Sequence, residues 1–199
     1  MVQQKHATDQ RVIFLKGRRI YLRPPTKEDI PLFLRWMNDQ EVSQYLASFL
    51  PLTEADETEW IERLHKEKNE HIVLVIVHTK SDRAIGTMGL HRINWKDRTA
   101  VTGAVIGEKM FWGKGYGSEA KMFFLNYAFN SLNLRKICST VLSFNKRSVA
   151  YSKKCGYHVE GILKKHIFKN GEYQDEIHMA VFKEDWLLLW KEFQKTGRI

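Results

Sequence analysis

A glycine-rich turn between a predicted strand and a predicted helix constrains the fold of this chain more than any other feature. Residues 100–106 predict a strand, and three glycines follow within five positions, Gly113, Gly115 and Gly117. A helix is predicted from the turn to about Asn130, because apolar residues recur there at helical spacing. Glycine lets the backbone adopt dihedral angles closed to other residues and come close to a ligand. The sequence therefore predicts a strand, a tight turn and a helix that begins at the turn.

The backbone amides of residues 114–118 are predicted to converge at the start of that helix. Together with the positive end of the helix dipole, they form a site suited to phosphate oxygens. The turn lacks the Gly-Lys-Ser/Thr ending of a P-loop and an acidic ribose partner on a following strand, so it fits neither familiar nucleotide motif. On spacing alone, a turn that uses glycine only to tighten packing is an equally good explanation.

Predicted strands and helices follow one another without a repeat, a linker or a low-complexity tract. The predicted strands cover residues 17–23, 72–79, 84–93, 100–106, 136–142, 157–168 and 176–182, and the predicted helices cover 27–37, 53–68, 117–130 and 145–155, with an amphipathic tail at 184–193. We therefore predict one α+β (α/β) domain over residues 12–199, with a mostly antiparallel mixed sheet of about seven strands flanked by about four helices. Residues 1–11 are expected to be disordered or loosely attached.

The composition argues against several other classes of protein. Lysine and arginine number 32 against 23 acidic residues, and the net charge of +9 attracts polyanions, including phosphate-bearing cofactors. The longest unbroken apolar run, residues 72–77, is far shorter than the ~20 residues that span a bilayer. The first eleven residues lack the apolar stretch of a secretory signal. Cys138 and Cys155 have no metal-type spacing, so we predict a cytoplasmic protein with free thiols and without a metal.

Four ordered blocks of the sequence resemble the GNAT superfamily of acetyltransferases. The run Trp112-Gly113-Lys114-Gly115-Tyr116-Gly117 is similar to the acetyl-CoA pyrophosphate motif of that family, Gln/Arg-x-x-Gly-x-Gly/Ala. Its tryptophan stands in the Gln/Arg position, which departs from the general pattern and resembles the RimJ/RimL branch. The other blocks are residues 21–24 with 28–29, Asn145-x-x-Ser148 with 154–157 and 160–161, and residues 168–175. The resemblance extends over roughly residues 18–182.

The resemblance implies a single GNAT-like domain that transfers an acetyl group from acetyl-CoA to an amine. It implies a splayed pair of strands that holds the pantetheine arm, with backbone groups of Val105, Ile106 and Gly107 bonded to the pantetheine amides. Asn145 and Ser148 are expected near the cofactor, with Ser148 at the CoA sulfur. The remaining implied cofactor contacts come from the turn and are Trp112, Gly113, Lys114, Gly115, Tyr116, Gly117 and Ser118.

The candidate general base departs from the family pattern. An alkylamine must lose a proton before it attacks a thioester, and many relatives place a glutamate where this chain has Val101. His91, Asp97 and Glu108 lie nearby in the sequence. We favour His91 because the ordinary pKa of histidine suits proton relay near neutral pH. A strand histidine with a purely structural role is the alternative.

The candidate proton donor for the departing thiolate also departs from the pattern. Many members carry a tyrosine seven residues after the motif asparagine, where this chain has Ser152. Tyr151 lies about 100° around the helix and is expected to face elsewhere. Ser148 and Asn145 are retained with His91 as candidate catalytic residues, and their alternative roles are a helix-stabilising hydroxyl and an N-cap.

Three aromatic residues in loops are the candidates for contact with the acceptor: Tyr45, Phe49 and Trp95. The predicted acceptor is a primary amine, namely a protein N-terminal amine, a polyamine or another small amine. The positive net charge disfavours a highly cationic acceptor unless the acidic residues 54, 56, 57 and 59 line the cleft. The alternative function is a regulator that binds CoA, the ribosome or nucleic acid without turnover. For the enzyme, neither nucleic acid nor a membrane is the expected partner, and a homodimer is left open.

Overall fold

The computed structural model describes residues 12–199, which form one open sheet of eight strands with helices against both faces. The strands are β1 (Leu15–Lys16), β2 (Ile20–Arg23), β3 (Ile72–His78), β4 (Arg83–Asn94), β5 (Thr99–Ile106), β6 (Lys136–Leu142), β7 (His158–Lys169) and β8 (Glu172–Phe182). They lie in the order β1-β2-β3-β4-β5-β6-β8-β7. The predicted α+β class with a mostly antiparallel mixed sheet is confirmed.

One parallel pair interrupts the antiparallel sheet at its centre. Strands β5 and β6 run parallel and pair over three residues only, from Thr99 opposite Lys136 to Val101 opposite Cys138. Beyond that point β5 continues to Ile106 without pairing to β6, so the two strands diverge. The divergence leaves an opening in the middle of the sheet.

The helices are α1 (Ile30–Met37), α2 (Gln40–Ser43), α3 (Glu54–Lys66), α4 (Tyr116–Asn126), α5 (Lys146–Lys154) and α6 (Lys183–Thr196). Side chains at their first turns explain where several of them begin. Thr53 and Asp56 form a reciprocal capping box at α3, and Thr26 and Asp29 form another at the short 3-10 turn before α1. The side chain of Asn145 caps α5 by accepting from the Ser148 amide.

Successive side chains of β2 and β3 point to opposite faces of the sheet, so the apolar core is divided between the two faces. Tyr21, Val75 and Val77 are buried on one face against Phe33 and Trp36 of α1. Their sequence neighbours are buried on the other face against α4, in a larger cluster that includes Ile20, Leu22, Leu74, Ile76, Met122, Phe124 and Phe129. The sheet is therefore covered on both sides, as the apolar run of β3 requires.

The structure differs from the prediction in the number and the length of some elements. The described residues form eight strands and six α-helices, against about seven and about four predicted. Strand β1 has two residues and α2 has four, which is too short for a periodic pattern. The helix predicted to Asn130 ends at Asn126 and continues as a π-helical turn, Tyr127–Ser131. Residues 1–11 lie outside the described part of the chain, so their predicted disorder stays a prediction.

Two findings limit the classes of site in the part of the chain that the structure describes. Over residues 12–199, no helix combines the length and the apolar character that a membrane span requires. Nor do these residues bring together three or more His, Cys, Asp or Glu side chains in an arrangement that could hold a metal ion.

Candidate active site

A cavity of about 1090 Å³ opens where β5 and β6 diverge. It extends from the glycine-rich turn to the acidic first half of α3, and α1, β4 and α5 complete its walls. The predicted cofactor residues that line this cavity are Val105, Ile106, Trp112, Gly113, Gly115, Tyr116, Gly117, Ser118, Asn145 and Ser148. The structure thus gathers most of the predicted cofactor residues around one space, while Gly107 and Lys114 lie outside its lining.

The glycine-rich turn ends in a left-handed residue at the start of α4. Gly113 and Gly115 have φ angles of +72° and +82°, and Gly115 is the N-cap residue of the helix. Within residues 12–199, the backbone amides of residues 113–118 have no hydrogen-bond acceptor. Unpaired amides at a helix N-terminus favour an anion. The turn is therefore open to a phosphate ligand.

A buried carboxylate fixes this turn against the first two strands. Glu119, 3% exposed, accepts hydrogen bonds from the backbone amides of Arg18 and Arg19 at 2.8 Å each. It also pairs with the Arg19 guanidinium at 2.7 Å, and that guanidinium donates to the Lys114 carbonyl at 3.0 Å. These bonds direct the Lys114 carbonyl toward Arg19 and away from the cavity.

The residues just before the turn are held by two tryptophans. The Trp112 indole donates to the Ile106 carbonyl at 2.5 Å, so this carbonyl already has one partner. Gly107 lies directly beneath Trp36, because a Cβ atom at this position would stand 2.0 Å from the Trp36 Cγ atom. Gly107 is therefore needed for close packing, whereas Val105 and Ile106 line the cavity.

An arginine that the sequence reasoning missed lies against Trp112. The Arg147 guanidinium is 4.2 Å from the Trp112 ring centroid and 5.3 Å from that of Tyr45. Tyr45 in turn packs edge-on against Trp112 at 6.4 Å. Arg147 lines the cavity together with both rings. The sequence offered a basic residue in the first turn of α5, but nothing that placed it over an aromatic ring.

His91 of β4 lines the cavity. Its Nδ1 atom is 3.4 Å from the Nδ1 atom of His71, a second histidine that was not predicted. Its Nε2 atom lies over the paired glycines Gly89 and Gly103, since Cβ atoms added there would stand 2.8 and 3.3 Å from it. Burial is the main cause that lowers the pKa of His91, with smaller contributions from His71 and Arg92. The imidazole is therefore neutral at pH 7 and able to accept a proton.

The two acidic candidates for the general base, Glu108 and Asp97, are both bonded to neighbouring residues. Glu108 is buried and pairs with Arg35 and Arg83, and it accepts a hydrogen bond from Trp36 Nε1 at 2.9 Å. Asp97 is bonded to Asn94 in the turn between β4 and β5. Neither carboxylate lines the cavity.

Acidic residues line the α3 side of the cavity. Asp56, Glu57 and Glu59 belong to its lining, as does Glu176 of β8, whereas Glu54 does not. Glu57 is 5% exposed, and its carboxylate has no hydrogen-bond or ion-pair partner among residues 12–199. Burial raises the pKa of Glu57, with Asp56 as the smaller cause. A carboxylate without a partner, on a mostly buried side chain at a cavity wall, is suited to bind a cation.

Two of the three predicted acceptor contacts lie elsewhere. Phe49 is 83% exposed and borders a separate surface groove beside Lys169 and Asn170. Trp95 donates its indole N–H to the Asn69 carbonyl at 2.7 Å and does not line the cavity. Only Tyr45 of the three borders the cavity.

The prediction that Tyr151 faces away from the cofactor cavity is wrong. Tyr151 lines the cavity, and its buried hydroxyl has no partner among the described residues. Ser152 instead points into the core, with 0% exposure and an unpartnered hydroxyl. The 100° between the two side chains was correctly inferred, but the rotation of α5 about its axis was not. Lys121 lies beside Tyr151 and also lines the cavity.

These features define a class of protein. A mixed sheet that opens between two parallel strands, with an anion-binding helix terminus at the opening, can hold a phosphate-bearing ligand between the strands. Residues 19–158 match the family model described as the acetyltransferase (GNAT) domain. The chain belongs to the GNAT acetyltransferase family and is an N-acetyltransferase.

Individual relatives agree with this family. The chain is 32% identical over 182 residues to "Probable N-acetyltransferase YjcK" of Bacillus subtilis (strain 168), covering 86% of this chain and 98% of that protein. It is 27% identical over 173 residues to the spermidine N(1)-acetyltransferase of Escherichia coli (strain K12), covering 84% and 88%. A crystal structure of the Vibrio cholerae spermidine N-acetyltransferase in complex with CoA and spermine is similar at a TM-score of 0.79 and 26% identity, covering 85% and 98%.

Proposed function

We propose that this protein transfers the acetyl group of acetyl-CoA to a primary amine of a small polycation, of the polyamine class. One observation carries the proposal: the same cavity has unpaired amides at one end and unpaired or exposed carboxylates at the other. The amide end is suited to the diphosphate of the cofactor. The acidic end is suited to ammonium groups. The relatives named spermidine N-acetyltransferases support the same acceptor class.

The residues around the turn fit the cofactor. The amides of residues 114–118 are aligned for a diphosphate, and Arg147 adds a positive charge at the same end of the cavity. Val105 lies on the part of β5 that no longer pairs with β6 and lines the cavity, where its backbone is proposed to bond the pantetheine arm. Asn145 and Ser148 are placed at the start of α5 beside this path. When bound, acetyl-CoA supplies an activated thioester for attack by the amine.

Among the predicted acceptors, the acidic wall favours a polyamine over a protein N-terminal amine. Asp56, Glu57 and Glu59 provide several negative charges along one helix, which a single terminal amine does not need. Along α3 these three carboxylates outnumber Arg63, which also lines the cavity, so this part of the wall is acidic despite the positive net charge. The RimJ/RimL-like turn around Trp112 lies at the proposed cofactor site. It therefore does not help to choose between a polyamine and a protein N-terminal amine as the acceptor. A cytoplasmic location accords with this substrate class and remains part of the proposal, as does a homodimer.

His91 is proposed as the base that receives the acceptor proton. Its neutral Nε2 atom lies over Gly103 on the diverging strand, while its Nδ1 atom is next to His71. Gly89 and Gly103 have no side chains, so the His91 ring has room above them to reach the cavity. Ser148 is proposed to contact the sulfur region, and Asn145 to hold the first turn of α5 through its bond to the Ser148 amide.

The direct test is thiol release from acetyl-CoA with spermidine, with butylamine and with a short peptide as acceptors. We expect thermal stabilisation by acetyl-CoA alone and fastest turnover with spermidine. Absence of stabilisation at saturating acetyl-CoA contradicts the proposal. Stabilisation without turnover by any amine, together with salt-sensitive RNA binding, supports the alternative of a regulator that has no activity.

Replacing Glu57 by glutamine is expected to weaken binding of the polyamine selectively. The side chain is mostly buried and its carboxylate has no partner among residues 12–199, so we expect the substitution to remove a charge-assisted hydrogen bond to the polyamine that contributes about 1.5–3 kcal/mol. The KM for spermidine should rise about tenfold or more, while that for butylamine changes less. Glu54→Gln, on the same helix but outside the cavity, is the matched control. Equal effects of the two variants argue against an acceptor site at Glu57.

Replacing His91 by glutamine is expected to lower kcat about 100-fold, the usual contribution of a general base. Because burial lowers the pKa of His91, the wild-type kcat at saturating acceptor should fall only at pH values below the ordinary histidine range. This acid limb should vanish in the variant. The control is His65→Gln, at a histidine of α3 that does not line the cavity. An unchanged pH profile in His91→Gln assigns the base elsewhere.

A further inference from the structure

A lysine without a carboxylate partner is buried at the closed end of the cavity. Lys121 is 1% exposed, and among residues 12–199 it forms no ion pair. Its Nζ atom is 3.4 Å from Thr102 Oγ1 and lies 4.5 and 4.7 Å from the ring centroids of Tyr151 and Tyr157. A lysine is rarely buried to this extent without a carboxylate, because its ammonium loses hydration. An apolar side chain would pack in this place at lower cost, so packing does not explain a lysine here.

The position of Lys121 relative to the diverging strands is specific. Thr102 is the first residue of β5 after its last pairing to β6, so it marks the point where the opening begins. Lys121, Thr102 and Tyr151 all line the cavity there. Lys121 is one helical turn beyond Gly117, so its side chain leaves α4 on the face that the glycine-rich turn presents to the cavity. Lys121 therefore lies at the closed end of the opening, where the two strands first separate.

We infer that Lys121 donates the proton to the sulfur of the departing CoA. The inference rests on the proposed function, because it places the diphosphate at the turn and so directs the thioester toward the closed end. The amine nitrogen forms a bond to the carbonyl carbon, and the C–S bond breaks with its electron pair on sulfur. The Lys121 ammonium gives that sulfur a proton and becomes a neutral amine. His91 takes the proton that the acceptor nitrogen loses, and water in the cavity restores the Lys121 proton.

The surroundings of Lys121 suit such a transfer. Burial lowers the pKa of Lys121 to about 8, which is close to the ordinary pKa of a thiol, about 8.5. The titratable groups that face it are Tyr151 and Cys155 from α5, Tyr157 before β7 and, through its carbonyl, Cys138 of β6. Burial raises the pKa of each of these side chains, so all stay neutral at pH 7. No neighbouring negative charge therefore holds the proton on Lys121.

The competing donors are the three hydroxyl groups of α5, at Ser148, Tyr151 and Ser152. Ser152, which the family resemblance aligns with a tyrosine acid, points into the core and does not line the cavity. Ser148 and Tyr151 do line it, so their hydroxyls are alternative sources of the proton. Substitutions at Lys121, Ser148 and Tyr151 therefore distinguish the donors.

The experiment compares wild type with Lys121→Met, Lys121→Gln, Ser148→Ala, Tyr151→Phe and the exposed-lysine control Lys153→Met. Three quantities are measured: the Kd of acetyl-CoA by calorimetry, kcat against pH, and the thiol pKa of bound CoA from the ultraviolet absorbance of the thiolate. Subtracting the spectrum of the unliganded protein removes the contribution of Cys138 and Cys155. Thermal melting reports folding, and Lys121→Met should melt at or above the wild-type temperature because it removes an unpaired buried charge.

We expect both Lys121 variants to bind acetyl-CoA within a few-fold of wild type and to lose about 100-fold in kcat. The thiol of bound CoA should titrate at a lower pH in wild type than in either variant, since the ammonium stabilises the thiolate. A purely structural lysine would not change this titration. Wild-type kcat in Lys121→Gln overturns the inference, as does loss of rate in Ser148→Ala or Tyr151→Phe but not at Lys121. Failure of wild type to bind acetyl-CoA would instead contradict the proposed function itself.

Discussion

Acetyl-CoA should bind about 1000-fold more weakly when Gly115 is replaced by valine. Gly115 has a φ angle of +82°, which a β-branched residue does not adopt without strain, and its Cβ atom would stand 3.3 Å from the Arg19 guanidinium. The turn must therefore change conformation, and the amides of residues 114–118 no longer converge. Loss of two hydrogen bonds to a charged group amounts to about 4 kcal/mol, which is about 1000-fold in Kd. Calorimetry with CoA measures the effect.

Gly171 offers a matched control for this substitution. It has a φ angle of +83° at the tip of the β7–β8 hairpin, with nothing within 4 Å of an added Cβ atom. Gly171→Val therefore introduces a similar backbone strain far from the cavity. We expect the two variants to lose similar stability and only Gly115→Val to lose CoA binding. Equal binding by both variants would show that the turn is not where the diphosphate binds.

Replacing Glu108 by glutamine should destabilise the protein by about 3 kcal/mol, the lower end of the range for breaking a buried ion pair. The carboxylate holds Arg35, Arg83 and the Trp36 indole in one network. Both guanidinium groups are about half-exposed and can be hydrated, which reduces the cost. For a domain of this size, the midpoint of thermal unfolding should fall by roughly 6–12 °C.

The same substitution should also affect acceptor binding. Trp36 packs over Gly107 and lines the cavity, so loosening its indole changes the acceptor side of the site. Glu62→Gln is the control, because Glu62 and its partner Lys27 are both mostly exposed and such pairs contribute about 0–1 kcal/mol. If Glu108→Gln and Glu62→Gln have the same midpoint of thermal unfolding, the network around Glu108 adds no net stability.

Local sequence signals predicted the framework of the site because they act over a few residues. Asn145 was identified as a possible N-cap, and its side chain accepts the hydrogen bond from the Ser148 amide that this role requires. The glycine-rich turn was placed correctly since positive φ angles at Gly113 and Gly115 require glycine. The acidic residues of α3 were noted as a condition for a cationic acceptor, and three of the four line the cavity.

Contacts that depend on register or on helix rotation were not predictable in the same way. His71 lies opposite His91 only because a register shift at Ile76 and Val77 alters the β3–β4 pairing, and no sequence pattern announces that shift. Lys121 is charged, and a lysine in an amphipathic helix is ordinarily assigned to the solvent face. Its burial follows from the packing of α4, α5 and the diverging strands together, so only the assembled fold shows it.

The brief pairing of β5 with β6 has a consequence for how the molecule comes apart. Five strands lie on one side of this seam and three on the other, and only three residue pairs of backbone ladder join them. Without a bound molecule, the two groups of strands are joined mainly through the apolar core that they share, so local opening is expected to begin at this seam. A ligand that contacts both edges of the opening adds contacts across the seam and should suppress that local opening.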